Sequence, residues 1–484
     1  MGNFVENLSK MLKRIGYISI LLSFLYFAGC STDDQKLEVV DFGLEKISER
    51  GKLVAITGYN AYSYFIYRGQ PMGYEYDLIK RLADHLNLDL EIKVVKEIPK
   101  MFELLNEGEG DIIAFNLTVT QNRKEIVTFT EEHNVTHQVL VQRRPDNWFR
   151  MGKQEIDRNL IRNAFDLEDK TVHVRFGSSY YERLYNLMNE TAIDINVIEA
   201  DPEQSTEDLI RMVSEGEIDF TISDRNIALL QQAYYSNIDI STEISLPQKI
   251  AWAVRKNAPA LRDTVNHWIT EMKRKPDYYV IYNKYYKNRL AFRRRVSSDY
   301  FSLTSGKISE YDEIIKNYAE EINIDWRILS ALIYQESQFK VNAKSWAGAR
   351  GLMQLMPATA EQFGVNDITD PMQNLDAGMR YLDWLDDYWS DEIPDSTERL
   401  KFVLGSYNIG PGHIIDARRL AEKYGGDPNI WEGNVEEFLL KKSIPKYYND
   451  EVVRNGYARG TETVEYVRRI YEIFDHYKQF LTKL

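Results

Sequence analysis

A carboxylate stands where an apolar side chain would continue the pattern. Asp325 is placed to cap a helix running through Gln335, and Ile328, Leu329, Leu332 and Ile333 form an apolar stripe on it at helical spacing. Glu336 continues that stripe, at i+4 from Leu332. Burying a carboxylate is costly, and desolvation raises its pKa toward the range a general acid needs near neutrality. The competing reading is a Glu at a helix end, frayed into solvent or paired with Lys340. Downstream, Ser345-Trp346-Ala347-Gly348-Ala349-Arg350-Gly351-Leu352-Met353-Gln354 packs small residues around one Gln, before a helix that starts at Pro357. Glycine lets a ligand approach the backbone, and an amide suits sugar hydroxyls and N-acetyl groups. Ser406-Tyr407-Asn408-Ile409-Gly410 sets an aromatic and an amide beside a glycine turn. Glu462-Thr463-Val464-Glu465-Tyr466-Val467 adds a tyrosine on a helix. Each piece alone also reads as core or turn.

A second set lies in the first half. Asn116-Leu117-Thr118-Val119-Thr120-Gln121-Asn122-Arg123 follows a strand predicted at 111–115. Gly177-Ser178-Ser179 precedes a helix, where free N–H groups favour an anion. Asp224 follows a strand predicted at 219–222. The plainer readings are a surface Arg123 and an Asp224 that caps a helix.

Two kinds of scaffold must position these residues. From Gly51, β-rich runs at 53–56, 90–95, 111–115, 171–175, 193–198 and 219–222 alternate with amphipathic helices at 76–86, 101–106, 180–189 and 206–215. That alternation predicts an α/β domain with largely parallel sheets, and a strand at 249–254 that returns the chain to the first sheet. Beyond about Tyr285 strand signals nearly vanish, which predicts an all-α domain over 307–484. Arg289, Arg293, Arg294 and Arg295, followed by Ser297-Ser298, read as a solvated connector over 286–306. Asp383, Asp386 and Asp387 read as a solvated helix face. A length of 484 residues fits two or three domains. A net charge of −14 argues against a general nucleic-acid binder, which needs clustered Lys and Arg. No metal or cofactor is expected.

Lys10, Lys13 and Arg14 precede an apolar run over 15–29 that is short for a bilayer span, so 1–30 reads as a secretory signal. It ends in Phe27-Ala28-Gly29-Cys30, at the single cysteine of the sequence. This resembles a bacterial lipoprotein lipobox, which implies cleavage before Cys30, lipid on its sulfur and a polar tether over 31–47. With one thiol no intrachain disulfide can form.

The four C-terminal motifs together resemble those of soluble lytic transglycosylases, over roughly 310–484. Glu336-Ser337, the Gly-Leu-Met-Gln of 351–354, the Tyr-Asn-x-Gly of 407–410 and the Glu-Thr-x-x-Tyr-Val of 462–467 occur in the family's order, with Ser406 where the family has Ala. The resemblance implies a fold like goose-type lysozyme and one essential carboxyl group. Glu336 would protonate the glycosidic oxygen between N-acetylmuramic acid and N-acetylglucosamine. It would then take the C6 hydroxyl proton as a 1,6-anhydro ring closes, without water. Tyr466 would orient Glu336, while Ser337, Gln354, Tyr407 and Asn408 would hold sugar. A hydrolytic muramidase and a non-cutting glycan sensor are the alternatives.

Gly73-Tyr74-Glu75-Tyr76-Asp77-Leu78 and the 116–123 segment resemble bilobed, periplasmic solute-binding proteins for polar amino acids, over roughly 48–285. Gln121-Asn122 replaces that family's usual Pro-Glu. The resemblance implies that Arg123 forks onto a ligand carboxylate and Thr118 bonds the same group. Asp224 would hold the ligand amine, with Asn116, Ser178 and Ser179 beside it. Lobe crossovers are expected near 139–144 and 245–251. Both modules in this order resemble the membrane-bound lytic transglycosylase F type. That implies peptidoglycan glycan strands as substrate, an amino-acid or muropeptide ligand, and a lipid anchor in the outer membrane facing the periplasm.

Overall fold

The structure, a computed structural model, describes residues 43–303 and 305–481. The signal, Cys30 and most of the tether lie outside the described residues. Twelve strands follow one another among those described: β1 (Lys52–Thr57), β2 (Phe65–Tyr67), β3 (Gln70–Met72), β4 (Asp89–Val94), β5 (Ile112–Ile113), β6 (Thr128–Thr136), β7 (Gln138–Arg143), β8 (Thr171–Val174), β9 (Asn196–Glu199), β10 (Phe220–Asp224), β11 (Ile238–Glu243) and β12 (Gln248–Val254). They form two five-stranded sheets, ordered β4-β1-β5-β12-β6 and β11-β7-β10-β8-β9, with β2-β3 as a separate hairpin. Each sheet is the floor of one lobe.

The expectation of largely parallel sheets is corrected. β12 runs antiparallel to both β5 and β6, and β7 runs antiparallel to both β10 and β11. The segment 128–136 gave no strand signal because β6 is an edge strand rich in Thr, Glu, His and Asn. β12 returns to the first sheet as expected. The chain crosses between lobes at His137 and again over 244–247. The first crossover therefore lies ahead of 139–144, because Gln138 already pairs with Asp224 in the second sheet.

The connector is not a solvated linker throughout. Asn288 caps a helix at Arg289–Val296 by accepting from the Ala291 amide at 3.0 Å. Phe292 and Arg295 on this helix are buried. The Arg295 guanidinium lies over the rings of Phe65 and Tyr285, at 5.8 and 5.6 Å from their centroids. A stripe of Arg on a short helix reads as solvated from sequence; only the fold shows that one of them packs on rings. Phe292 belongs to the same buried cluster as Trp252 of the first lobe and Ile227 of the second.

The rest is helical, with a second core built around Leu332, Leu352, Leu385, Phe402 and Ile470. The two halves are joined face to face. The Tyr477 hydroxyl donates to Gly69 O at 2.7 Å, and Tyr59 stacks on Phe480 with centroids 3.9 Å apart. Gln479 Nε2 donates to Ile92 O at 2.6 Å, while Tyr64 pairs with His476 and Arg468 with Asp89. Gly69 turns the β2-β3 hairpin at φ 75°, and a Cβ there would come within 3.0 Å of Tyr477, Phe339 and Tyr334. Glycine is required at this close approach.

Candidate active site

The helix carrying Glu336 runs Trp326–Ser337, and the Asp325 carboxylate caps it by accepting from the Arg327 amide at 3.0 Å. Ile328, Leu329, Leu332 and Ile333 are all buried. Glu336 itself is half-buried. The competing ion pair is not formed: Lys340 Nζ bonds Gln338 Oε1 at 2.8 Å. The Glu336 Oε1 atom instead accepts from the Tyr466 hydroxyl. Burial pushes the Glu336 carboxyl up to about 7, and the Tyr466 hydroxyl opposes that by favouring the carboxylate. No other carboxylate among the described residues contributes to its shift.

The other motif residues surround this pair. The Tyr407 hydroxyl donates to Met353 O at 2.7 Å, which ties the aromatic to the Gly-Leu-Met-Gln turn. Gln354 sits in the left-handed region, φ 46°, and its Nε2 bonds Ala343 O at 3.1 Å and Gly351 O at 2.9 Å. Its amide nitrogen is thus committed to the turn, leaving its carbonyl oxygen for a ligand. Asn408 is exposed, and its Oδ1 accepts from Thr463 Oγ1 at 2.7 Å. Ser337 is 5% exposed and donates to Ile333 O at 3.1 Å, one turn back, so its hydroxyl serves the helix.

Two supports were not legible in the sequence. Asn374 is fully buried; its Oδ1 accepts from the Met353 amide at 2.8 Å, and its Nδ2 donates to Arg350 O and Ile368 O. A Cβ on Gly351 would lie 2.2 Å from that amide, so the glycine and Asn374 fix the turn together. Nothing links Asn374 to the turn except the fold. Ser406, the departure from the family's Ala, accepts from the Trp389 indole at 3.0 Å and satisfies a buried donor.

The six first-half residues also converge. Asn116, Thr118, Arg123, Ser178, Ser179 and Asp224 all line one cavity of about 20 Å³ between the lobes, room for about one water. Arg123 is buried, not a surface residue. Its guanidinium bonds Thr118 O at 3.0 Å and, across the cleft, Gly177 O at 3.1 Å. Asp224 precedes a helix yet makes no side-chain cap; its Oδ2 accepts from Asn116 Nδ2 at 2.6 Å across the cleft. Burial pushes the Asp224 carboxyl up to about 7. Its Oδ1 and the Ser178 hydroxyl have no partner among the described residues. Arg175, which the sequence reading missed, also lines the cavity and reaches Lys96 O at 2.8 Å. Only the register of β8 could have suggested it.

Residues 313–430 match the family described as Transglycosylase SLT domain, and residues 52–288 match Bacterial extracellular solute-binding proteins, family 3. The first half also resembles the solved structure of holo ArgBP from T. maritima, at 24% identity and a TM-score of 0.40, over 49% of this chain and 98% of that one. A Desulfosudis oleivorans protein named membrane-bound lytic murein transglycosylase F is 38% identical over 436 residues, 90% of this chain and 92% of that one. A Pseudomonas fluorescens protein of the same name is 31% identical over 437 residues, 89% of this chain and 86% of that one. The chain therefore belongs to the membrane-bound lytic murein transglycosylase F family.

Proposed function

We propose that Glu336 is the single acid and base of a peptidoglycan cleavage that ends in a 1,6-anhydro sugar. The observation that carries this is one half-buried carboxyl, pushed up to about 7 and bonded by Tyr466, with no second carboxylate among the described residues perturbing it. Hydrolytic glycosidases commonly use two carboxylates flanking the scissile bond. In the first step Glu336 gives its proton to the glycosidic oxygen, the bond to C1 breaks, and the substrate's N-acetyl group stabilises the cation-like centre. In the second, the Glu336 carboxylate takes the C6 hydroxyl proton as O6 bonds to C1. The leaving sugar keeps the first proton and Glu336 regains one, so the balance closes without water. Tyr466 orients the carboxyl; Tyr407, Asn408 and the Gln354 carbonyl contact sugar. Ser337 acts through the helix. The test is product mass: the anhydro end is one water lighter than a hydrolysed end, and a hydrolysed product would overturn this reading.

The module at 48–285 binds an amino acid or a stem-peptide fragment, with Arg123 and Thr118 on the carboxylate and Asp224 on the amine. Asn116, Ser178 and Ser179 complete the site. Binding modulates cleavage by the module at 307–484. The support is the path from cleft to catalytic helix: Tyr62 lines the cavity, and the hairpin that follows it packs Gly69 against Tyr334, two residues before Glu336. Titrating amino acids and stem peptides while reading binding and cleavage together tests both halves. Cys30 carries the lipid that holds the protein to the outer membrane, facing the periplasm. No helix among the described residues is long and apolar enough to cross a membrane. Cys30→Ala protein that still sediments with membranes after signal removal would overturn the anchor.

A further inference from the structure

The cleft between the lobes is lined by two guanidiniums, Arg123 and Arg175, and by one carboxylate, Asp224. Both arginines are buried, at 8% and 7% exposed. Neither forms an ion pair among the described residues. Each reaches across the cleft for a backbone carbonyl instead. Arg123, on the first lobe, bonds Gly177 O of the second at 3.1 Å, and Arg175, on the second lobe, bonds Lys96 O of the first at 2.8 Å. Each guanidinium also lies over a phenylalanine ring, Arg123 at 5.6 Å from the Phe102 centroid and Arg175 at 5.4 Å from that of Phe115. Nη2 is the one Arg175 nitrogen with a hydrogen-bond partner among the described residues.

Two like charges taken out of water together are costly unless anions meet them. Burial pushes the Arg123 guanidinium down to about 10; the Arg175 charge acts the same way, against Glu182, Tyr180 and Asp224. Asp224 is bonded to Asn116 and, in the reading given above, is reserved for a ligand amine. Glu207 is an acidic neighbour, but its Oε1 accepts from the Ala61 amide at 3.2 Å. Burial also pushes the Glu207 carboxyl up, away from its charged form. With Arg123 on the ligand's backbone carboxylate, Arg175 still lacks an anion. We infer that the cleft selects a dicarboxylate, a glutamate-like amino acid or a stem-peptide fragment that carries one, with Arg175 forked onto the second carboxylate. This deepens the amino-acid or stem-peptide reading of the cleft and rests on it. A guanidinium held flat on a ring suits a carboxylate bidentately. A cationic side chain would meet like charge there, and an apolar one would leave Arg175 buried and unpaired. The cavity of about 20 Å³ is too small for any amino acid, so the lobes part to admit one. The two carbonyl contacts are then replaced by the ligand's carboxylates.

Glutamate and glutamine differ by one charge at nearly constant shape, so the ratio of their affinities reads Arg175. Calorimetric titration of the whole protein with the D and L forms of each is expected to give glutamate at least about tenfold tighter than glutamine. Arg175→Gln should bring that ratio to within about twofold. Arg175→Lys, which keeps the charge but not the fork, should hold part of it. Arg123→Ala should weaken both ligands and leave their ratio near that of wild type. Glutamine, arginine or an apolar amino acid bound by wild type as tightly as glutamate would overturn the dicarboxylate while leaving the amino-acid reading in place. A ratio that survives Arg175→Gln would overturn it equally. No binding by any amino acid or stem peptide would sink that reading, and this inference with it.

Discussion

In the catalytic half, Glu336 and its partner Tyr466 project from two helices of one bundle with one core. In the solute-binding half, Asp224 stands on one lobe and its partner Asn116 on the other. Burial pushes both carboxyls up to about 7. What differs is what holds the environment in place. Around Glu336 the burial is permanent, because the helices cannot separate without opening the core. Around Asp224 it depends on the lobes staying closed through Asn116–Asp224, Arg123–Gly177 and the Ala61 amide on Glu207 Oε1. The same perturbation is locked in by one core at Glu336 and is contingent on lobe closure at Asp224.

The largest expected effect breaks the catalytic side. Glu336→Gln removes a proton donor and acceptor, and turnover of glycan strands should fall at least about 10²–10⁴-fold. Unchanged melting by circular dichroism would show that the fold is intact; near wild-type turnover would rule out the role of Glu336. Tyr466→Phe should cost about tenfold in kcat, as loss of a hydrogen bond to an ionising group. It should also move the pH profile in a stated direction. The acid form of Glu336 is lost as pH rises through about 7. The Tyr466 hydroxyl lowers that pKa, so removing it raises the pKa and shifts the alkaline limb to higher pH. A limb that stays put or moves down contradicts the hydrogen bond as the tuning contact.

How much of each region could be read beforehand follows the same division. The catalytic helix was legible because its signals are local: Asp325 caps it and Ile328 to Ile333 recur at helical spacing, so Glu336 lands on the buried side. Asn374 was not legible, because it meets the Gly351–Gln354 turn only through tertiary packing. In the first half the strand–helix alternation located Asn116, Arg123, Ser178 and Asp224 at element ends. It could not locate β6, whose polar edge position hides its period, and so the first crossover was expected too late. Arg295 was read as solvated because a basic run on a short helix carries no sign of which member turns inward. Local patterns survive translation into structure; pairings between distant segments do not announce themselves.

Next in size is the cleft. On the proposed role, Asp224 would have to ionise to hold a ligand amine, and burial pushes its carboxyl up to about 7 in the closed arrangement. Affinity for an amino acid should therefore rise about three- to tenfold between pH 6 and pH 8 in wild type, and stay flat in Asp224→Asn. Arg123→Ala should weaken binding about tenfold or more at every pH, through loss of the guanidinium fork. Calorimetric titration across pH checks both. Affinity that falls with pH in wild type would reverse the role given to Asp224.

The smallest expected effect is on stability, and it concerns a third carboxyl that neither site uses. Glu75 is fully buried in the first lobe, where it accepts from the Trp252 indole at 2.7 Å and lies 3.5 Å from His133 Nε2. Burial pushes Glu75 up to about 8 and pushes the His133 imidazole down to about 3, so near neutrality both are held uncharged. The folded protein thus binds a proton at Glu75 that the unfolded chain releases near its ordinary value of 4.5. With the folded pKa the higher one, the stability that Glu75 lends is complete below about 4.5 and is lost as pH rises through about 8. Gln cannot ionise and keeps a carbonyl oxygen for the Trp252 donor, so Glu75→Gln should escape that loss. Its melting temperature is expected to match wild type near pH 5 and to exceed it by about 2–4 °C near pH 8.5. His133, neutral in the fold but protonated in the unfolded chain below its ordinary 6.5, adds a rise of stability with pH over the acid part of that window, equally in both proteins, so it cancels from the difference. Glu336, in the other half, titrates alike in both proteins and cancels from the difference. A Glu75→Gln protein whose advantage shrinks as pH rises would mean that Glu75 is charged in the fold, with His133 as its partner, and that the first lobe contains a buried ion pair where a neutral hydrogen bond is described.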